Sequence, residues 1–293
     1  MKARSLLAPW LLSLVLSGVV VAVADDTAVR DWWAKTEKAA YLASRARYAD
    51  ALLAYQQALA IAPADEYRAD TLLSTAQVYE GLRDRYAAIA TYKRILSDYP
   101  LSPHVPRVCF RLGELYSCIT LLPADASDKD AATVAAEMTP ANSLPYFRKA
   151  IDAAPRVNAW ARAAKLQIAG ILVAVEGKRD EGIAILREVA TLDIYDITEP
   201  DYGGPFLDSP RISGTRSELI DLARTQALKA RDNARKALVH YAVIPSDPAA
   251  SVANLRELIR TYPDSDIASM AENRLQEILR TPSTSLPSTD SAL

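Results

Sequence analysis

The chain has 293 residues, half of them hydrophobic, and a formal net charge of −2. It is rich in alanine but contains only 9 glycines, 3 phenylalanines and 2 histidines. Glycine at about 3% is under half its usual share of about 7%, and alanine has the highest helix propensity. This composition predicts closely packed helices and argues against a β-sandwich, a β-barrel or a doubly wound sheet. With only 2 cysteines as well, few groups are present for metal or nucleophilic chemistry.

The first 24 residues have the pattern of a secretory signal peptide. Lys2 and Arg4 precede an apolar stretch over residues 6–23, and Ala22 and Ala24 favour cleavage after residue 24. An uncleaved anchor is the alternative, because the stretch approaches the roughly 18 residues of a spanning helix. Cleavage would leave 32 basic and 36 acidic residues, a net charge of −4. No nucleic acid partner is expected without a basic excess, and no integral membrane span is expected after cleavage.

Residue landmarks recur along the rest of the chain. Tyr55, Ala58 and Pro63 are repeated 37 residues later as Tyr92, Ile95 and Pro100. The segment Arg47-Tyr48-Ala49 before the first set is matched by Arg85-Tyr86-Ala87 before the second. A third copy has Ser143, Phe147, Ala150 and Pro155, and a fourth has Gly182, Leu186 and Val189 without the proline. Recurrence at this length indicates a helical repeat array.

The segments that precede these landmarks carry a second pattern. Leu72, Thr75, Ala76 and Tyr79 in one copy correspond to Cys109, Leu112, Gly113 and Tyr116 in the next. Both sets resemble the W-x2-L-G-x2-Y pattern of the tetratricopeptide repeat, a helix-turn-helix unit of about 34 residues. Spacings of three, four and seven place these residues on one helical face, where small residues allow close helix crossings.

Two junctions between repeats share a further motif, Tyr99-Pro100-Leu101-Ser102 and Tyr262-Pro263-Asp264-Ser265. This motif resembles the repeat junctions of bacterial envelope tetratricopeptide proteins, of the type of the β-barrel assembly lipoprotein and the Tol-Pal coordinator. The resemblance implies a protein of the cell envelope whose partner is another envelope protein or a peptide. Because no cysteine follows the predicted cleavage point closely, a soluble periplasmic location is expected rather than a lipid anchor.

The predicted fold is all-α, a tetratricopeptide-repeat solenoid of about five helical hairpins over residues 25–280. The hairpins cover residues 31–63, 69–100, 103–155, 158–193 and 215–263, and a capping helix follows at 266–280. Insertions are expected at about 119–140 and 195–213. The tail 281–293 is rich in Ser, Thr and Pro and is expected to be disordered.

No catalytic, cofactor or metal site is predicted. Asp125, Asp128 and Asp130 lack the glycine and distal glutamate of a calcium loop. The histidines, His104 and His240, are interpreted as surface or packing residues, and no nucleophile, base and orienting group are close in sequence. Cys109 and Cys118 would lie on opposite faces of one continuous helix, so a disulfide requires the helix to end first. The chain is therefore not expected to be an enzyme.

The remaining use of a repeat array is binding, through the concave face formed by the first helices of the hairpins. The resemblance places ten residues on that face: Asp70, Leu73, Gln77, Glu80, Arg107, Phe110, Glu114, Ser117, Gln167 and Ile171. The leading hypothesis is a non-catalytic periplasmic scaffold for protein–protein interaction.

Two further hypotheses concern other surfaces. The alternative function is a glycan or peptidoglycan-binding accessory module that uses Trp32, Trp33 and Trp160 as stacking platforms. A basic stripe at Lys229, Arg231, Arg235 and Lys236 is interpreted as a solvated helix face, with docking to an acidic partner as the alternative. The oligomeric state is left open.

Overall fold

The computed structural model describes residues 10–117, 138–154, 158–174, 177–198, 215–243 and 248–280, with the backbone alone for 10–26 and 248. These residues form α-helices and one short 3-10 helix, and they contain no strand. The helices are α1 (Trp10–Ser44), α2 (Tyr48–Ile61), α3 (Asp65–Gly81), α4 (Arg85–Asp98), α5 (Val105–Ser117), α6 (Pro140–Asp152), α7 (Ala159–Ala174), α8 (Arg179–Ala190), α9 (Arg216–Ala242), α10 (Pro248–Thr261) and α11 (Asp266–Arg280). The all-α prediction is confirmed.

The chain divides into two compact units, one ending at Thr139 and the other beginning at Pro140. In the first unit, α1 and α2 form a helical hairpin, α3 and α4 form the next, and α5 packs on α4. In the second unit, α7 pairs with both α6 and α8, α9 packs on α8 and α7, and α10 pairs chiefly with α11. Packing between sequence neighbours is the pattern expected of stacked helical hairpins.

Burial follows the predicted repeat register. The small residue at the helix crossing is buried in each copy, at Ala51, Ala88, Ser143 and Gly182. The large residue four positions later is also buried, at Tyr55, Tyr92, Phe147 and Leu186. The landmarks are therefore buried positions at the same repeat register, each within its own unit. The pairing of α5 with α6 in the predicted hairpin 103–155 stays a prediction.

The glycine in the fourth copy marks the tightest of these crossings. A Cβ added at Gly182 would lie 2.5 Å from Cγ2 of Val173 and 2.7 Å from the carbonyl oxygen of Ala169. Because a backbone carbonyl cannot move aside cheaply, α7 and α8 can approach this closely only with glycine at that position.

The turns inside the hairpins repeat at the level of the backbone. Ala46, Arg83 and Gly177 have φ angles of 56°, 61° and 66°, and each lies between the two helices of its hairpin. Ala46 and Arg83 are 37 residues apart, so the true register pairs Tyr48 with Arg85, the first residues of α2 and α4. The match of Arg47-Tyr48-Ala49 with Arg85-Tyr86-Ala87 is thus displaced by one residue, because the helix starts are set by the turn.

The serine of the Tyr-Pro-x-Ser motif has the same role at both junctions: its side chain accepts a backbone hydrogen bond. The Oγ of Ser265 accepts a hydrogen bond from the backbone N–H of Ala268, at 3.2 Å, in the first turn of α11. The Oγ of Ser102 accepts one from the N–H of His104, also at 3.2 Å, just before α5. The motif therefore supplies acceptors to N–H groups that have no partner inside the next helix.

Both ends of the predicted array are described. α11 spans the predicted capping helix. Its exposed side is mainly polar, with Glu272, Asn273, Arg274, Gln276 and Glu277, and it also carries the exposed Leu279. At the other end, α1 begins at Trp10, so the first hairpin starts well before residue 31 and its helix runs through the predicted cleavage site. Cleavage stays a prediction. Among residues whose side chains the structure describes, no helix is long and apolar enough to cross a membrane.

Several predictions fall on residues outside the described ranges. They concern the acidic insertion through residue 137, Cys118, most of the loop 195–213 and the tail 281–293. The start of that loop is described and forms the 3-10 helix Ile194–Asp196. The side chain of Asp193 accepts a hydrogen bond from the backbone N–H of Tyr195, at 2.9 Å, and so caps this short helix.

Candidate protein-binding surface

Half of the predicted binding residues in the first unit come from α3. This helix starts after the extended residue Ala64, with Asp65 and Glu66 in its first turn, where carboxylates favour the positive end of the helix dipole. Asp70, Gln77 and Glu80 are partly exposed along it. Separations of three and seven residues place them on one face of the helix.

The other half comes from α5, the next helix of the predicted binding face. Pro106 lies in its first turn, where a missing N–H costs nothing. Arg107, Glu114 and Ser117 are partly exposed. The hydroxyl of Ser117 donates to the backbone carbonyl of Glu114, at 3.0 Å, so this side chain is held against its own helix.

Arg111 joins these two helices. Its Nε donates to Oε1 of Glu80 at 3.2 Å, and its Nη2 donates to Oε2 of the same carboxylate. Its Nη1 donates to Oε2 of Glu114 at 2.5 Å. A guanidinium that makes two parallel bonds to one carboxylate fixes the orientation of both groups. Arg111 therefore holds a carboxylate from α3 and one from α5 in defined positions.

Tyr92 on α4 adds a third helix to the hydrogen-bond network of Glu80 and Arg111. Its hydroxyl donates to Oε1 of Glu80 at 2.8 Å. Burial, together with the negative charge of Glu80, strongly raises the pKa of Tyr92, so the phenol remains a donor. Burial alone would lower the pKa of Arg111, but its bonds to Glu80 outweigh this effect and raise it. Burial raises the pKa of Glu114, with Arg111 acting in the opposite direction.

A second polar contact lies at the start of α5. Nε2 of His104 is 3.5 Å from Oδ1 of Asp70 on α3. Burial lowers the pKa of His104, Asp70 opposes that shift, and Arg107 adds to it. Burial also lowers the pKa of Arg107, with the carboxylates of Asp70 and Glu80 acting in the opposite direction. We call the partly exposed residues around these contacts the α3–α5 surface: Asp70, Gln77, Glu80, Arg107, Arg111, Glu114 and Ser117.

Three of the ten residues predicted to lie on the binding face are buried, so their prediction as surface residues is wrong. Leu73 and Phe110 are each 2% exposed, and Ile171 on α7 is 7% exposed. Their apolar side chains are core residues of their own unit, because burial of such groups is favourable. Of the predicted residues on α7, only Gln167 is exposed.

The basic stripe on α9 serves partly to hold the second unit together. Arg235 donates through Nη1 to Oδ1 of Asp266 at 2.5 Å, and through Nε to the carbonyl of Ala190 at 3.3 Å. Asp266 begins α11 and Ala190 ends α8. Arg235 therefore links helices of the second unit. For the other residues of the stripe, the role of a solvated helix face stays a prediction.

Trp32 cannot be the stacking platform that the glycan hypothesis requires. Its indole is buried, and its Nε1 donates to Oγ1 of Thr71 on α3 at 2.9 Å. The ring also lies 4.7 Å from the ring of Tyr67. Trp33 is about half exposed and Trp160 is partly buried, so the three tryptophans do not form one exposed set.

Sequence reasoning missed Arg111, which is central to the α3–α5 surface. The repeat pattern selected residues 107, 110, 114 and 117, whereas Arg111 lies four residues after Arg107 and three before Glu114. The available signal was its spacing: a charged residue four positions after Arg107 and three before Glu114 lies next to both on the helix surface. The participation of Tyr92 had no such signal, because its landmark position predicts only burial.

The described residues include no group of three or more His, Cys, Asp or Glu side chains that could hold a metal ion. Cys109 is completely buried in α5, as expected for a core residue at the tryptophan position of the repeat. A bridge to Cys118 stays untested. What the α3–α5 surface offers is a fixed arrangement of carboxylates, guanidinium groups and an amide.

Comparison with known proteins does not assign the chain to a family. A scan of protein-family models finds no match, and neither does a search of curated proteins. Among solved structures, the chain is similar to a thermophilic TPR protein from Thermus thermophilus, at 18% identity and a TM-score of 0.38. That match covers 85% of this chain and 98% of the other. The class of the protein therefore follows from its own helices and repeat register: it is an all-α protein of stacked helical hairpins.

Proposed function

We propose that this protein is a non-catalytic scaffold of the bacterial cell envelope that binds another envelope protein or a peptide through the α3–α5 surface. The proposal of an envelope location, in the periplasm, is supported by the signal-like N-terminus and by the Tyr-Pro-x-Ser junctions. The proposal of protein binding is supported by the repeat fold, since stacked hairpins present extended surfaces.

The observation that carries the choice of surface is the position of Arg111. It holds Glu80 of α3 and Glu114 of α5 in place before any partner arrives. Side chains fixed in advance do not lose conformational freedom on binding, and that loss costs about 0.5 to 1.5 kcal/mol for each flexible side chain. An ordered polar surface therefore binds more tightly than the same residues on a mobile one.

Photo-crosslinking tests this proposal in the cell. A photoreactive amino acid is placed at Gln77, which lies between Asp70 and Glu80 on α3. The matched control is the same substitution at Gln57, which is exposed on α2 and lies outside the α3–α5 surface. We expect a defined protein adduct from position 77 and not from position 57.

Two outcomes would contradict the proposal. One is equal crosslinking at both positions, which indicates contact without a defined surface. The other is no protein adduct at position 77, combined with binding of cell-wall fragments by the purified chain. Quenching of tryptophan fluorescence by the fragments would detect the second outcome and would favour the glycan-binding alternative, through residues other than the buried Trp32.

A further inference from the structure

One face of α1 is exposed, although two of its positions, those of Ala34 and Tyr41, are buried in the next repeat at Thr71 and Val78. The exposed residues recur at 33, 34, 37, 38, 41, 44 and 45, close to the 3.5-residue period of a packing stripe. We call this stripe the α1 end face. Tyr41 is 59% exposed, whereas its repeat equivalents Val78, Leu115 and Leu172 are 4%, 9% and 0% exposed.

The contacts of α3 show what this position does in a repeat. Val78 is buried in one cluster with Ala39, Leu42 and Tyr55 of the first hairpin. Thr71, the equivalent of Ala34, accepts the hydrogen bond from Trp32 of that hairpin. The face of α3 that carries these residues therefore stacks on the preceding hairpin. On α1 the same face is the first stacking surface of the unit, and Ala34 and Tyr41 are exposed on it.

The two ends of the chain's hairpins differ in this respect. The exposed side of α11 is mainly polar, as expected where an array ends in solvent, with Leu279 as its large apolar residue at 60% exposure. The α1 end face instead combines Tyr41 and the half-exposed Trp33 with one acidic residue, Glu37, and two basic residues, Lys38 and Arg45. Aromatic groups surrounded by a few charges are typical of an interface rather than of a solvated cap.

The order of residues on this face makes it complementary to itself. Two α1 helices packed antiparallel about a two-fold axis between positions 37 and 38 place Glu37 opposite the partner's Lys38, twice. The same axis places the small side chain of Ala34 opposite the partner's Tyr41. Opposite charges at the centre and small residues facing large ones are the requirements of an isologous interface, in which one patch meets its own copy.

We propose that the α1 end face is the interface of a homodimer, in which the first hairpins of two chains stack through antiparallel α1 helices. The occupant is a second copy of this chain because charge and size both match under the two-fold axis. The guanidinium of Arg45 lies 5.6 Å from the centre of the Tyr41 ring, within the range of a cation–π contact, and flanks the proposed interface.

Sedimentation equilibrium of the purified full chain, over a wide range of concentrations, tests the proposal. We expect a monomer–dimer equilibrium for the natural sequence. Lys38→Glu places like charges opposite one another twice and should raise the dimer dissociation constant about tenfold or more. The double variant Glu37→Lys with Lys38→Glu restores opposite charges and should recover most of the affinity. Tyr41→Glu should leave only monomer.

Leu53→Glu is the matched control, since Leu53 is exposed on α2 and its repeat equivalent Ala90 is exposed as well. It should leave the dimer unchanged, and thermal unfolding should show that every variant folds. A natural chain that stays monomeric throughout would overturn the proposal. A dimer that Lys38→Glu does not weaken would also overturn it, as expected if the apolar N-terminus drives association. The same holds if the double variant fails to recover the affinity, or if Leu53→Glu weakens the dimer as much as Lys38→Glu does.

Discussion

At the scale of single residues, the turns inside the hairpins hold two side chains in a backbone conformation that favours glycine. Ala46 and Arg83 have φ angles of 56° and 61°, in the left-handed region, and both are exposed. A Cβ in that region costs about 1 to 2 kcal/mol. The equivalent position in the fourth hairpin is Gly177, where this cost is absent.

Ala46→Gly and Arg83→Gly should therefore each raise the free energy of unfolding, by about 1 kcal/mol. Gly177→Ala should lower it by a similar amount. Urea unfolding followed by circular dichroism measures all three changes. Ala60→Gly is the control, because Ala60 is exposed inside α2, where glycine costs about 1 kcal/mol. If Ala46→Gly and Ala60→Gly destabilised the chain equally, the left-handed turn would not be strained.

His104 gives the folded chain a dependence on pH. Its pKa is lowered by burial, so below its ordinary value of about 6.5 the unfolded chain binds more protons at this group than the folded chain does. The contribution of His104 to stability should therefore fall as the pH is lowered from 7.5 to 5. His104→Gln removes the titrating group, so the natural chain should lose more stability than this variant over that range.

Asp70→Asn provides a second measurement of the same effect. Asp70 opposes the lowering of the pKa of His104, so its removal should make the loss of stability below pH 6.5 steeper. Thermal unfolding at a series of pH values follows the three chains. Parallel curves for the natural chain and His104→Gln would show that His104 is not responsible.

Residues of the α3–α5 surface show how far repeat patterns predict a candidate site. The pattern placed Asp70, Gln77, Glu80, Arg107 and Glu114 on partly exposed helix faces, because helical periodicity fixes which residues share a face. It could not separate Leu73 and Phe110 from them. Those two belong to the same stripes, and their burial depends on the packing of neighbouring helices.

At the scale of elements, one polar network ties α3, α4 and α5 together. Glu80, Tyr92 and Arg111 each come from a different one of these helices, and Arg111 and Glu80 are mostly buried. Surface ion pairs contribute little because water screens both charges and the side chains lose freedom. A pair with two parallel hydrogen bonds in a half-buried position should contribute more.

A double-mutant cycle with Glu80→Gln and Arg111→Met measures that contribution. We expect a coupling free energy of about 1 to 3 kcal/mol in urea unfolding. The control cycle uses Arg47→Met and Asp50→Asn, whose ion pair is more than half exposed on both sides. Its coupling should be within about 0.5 kcal/mol of zero. Equal coupling in the two cycles would mean that the network does not stabilise the three helices.

Helix boundaries were predictable where the local sequence encodes them. Thr215 and Glu218 form a capping box, and α9 begins at Arg216, one residue after the predicted start of its hairpin at 215. α11 likewise begins after Ser265, which caps it. The start of α1 was not predictable in this way, because the apolar leader has the pattern of a cleaved segment while its residues continue the helix from Trp10.

At the scale of the whole molecule, α11 closes the second unit. Ile267 and Ala271 of α11 are buried in the cluster that also contains Leu238 of α9 and Leu255 of α10. Ile267→Ala should lower the free energy of unfolding by about 2 to 5 kcal/mol, the usual cost of such a truncation in a core. Calorimetry measures the change. Leu279→Ala, at an exposed site on the same helix, should change it by less than about 0.5 kcal/mol.

The principal helix contacts all join elements that are next to each other or one element apart in sequence. Folding is fast when most contacts are local in sequence. Each hairpin can therefore form soon after its own forty or so residues have left the ribosome or a translocation pore. The order of the hairpins along the chain becomes an order in time, with the first stacking surface completed before the last cap has been synthesised.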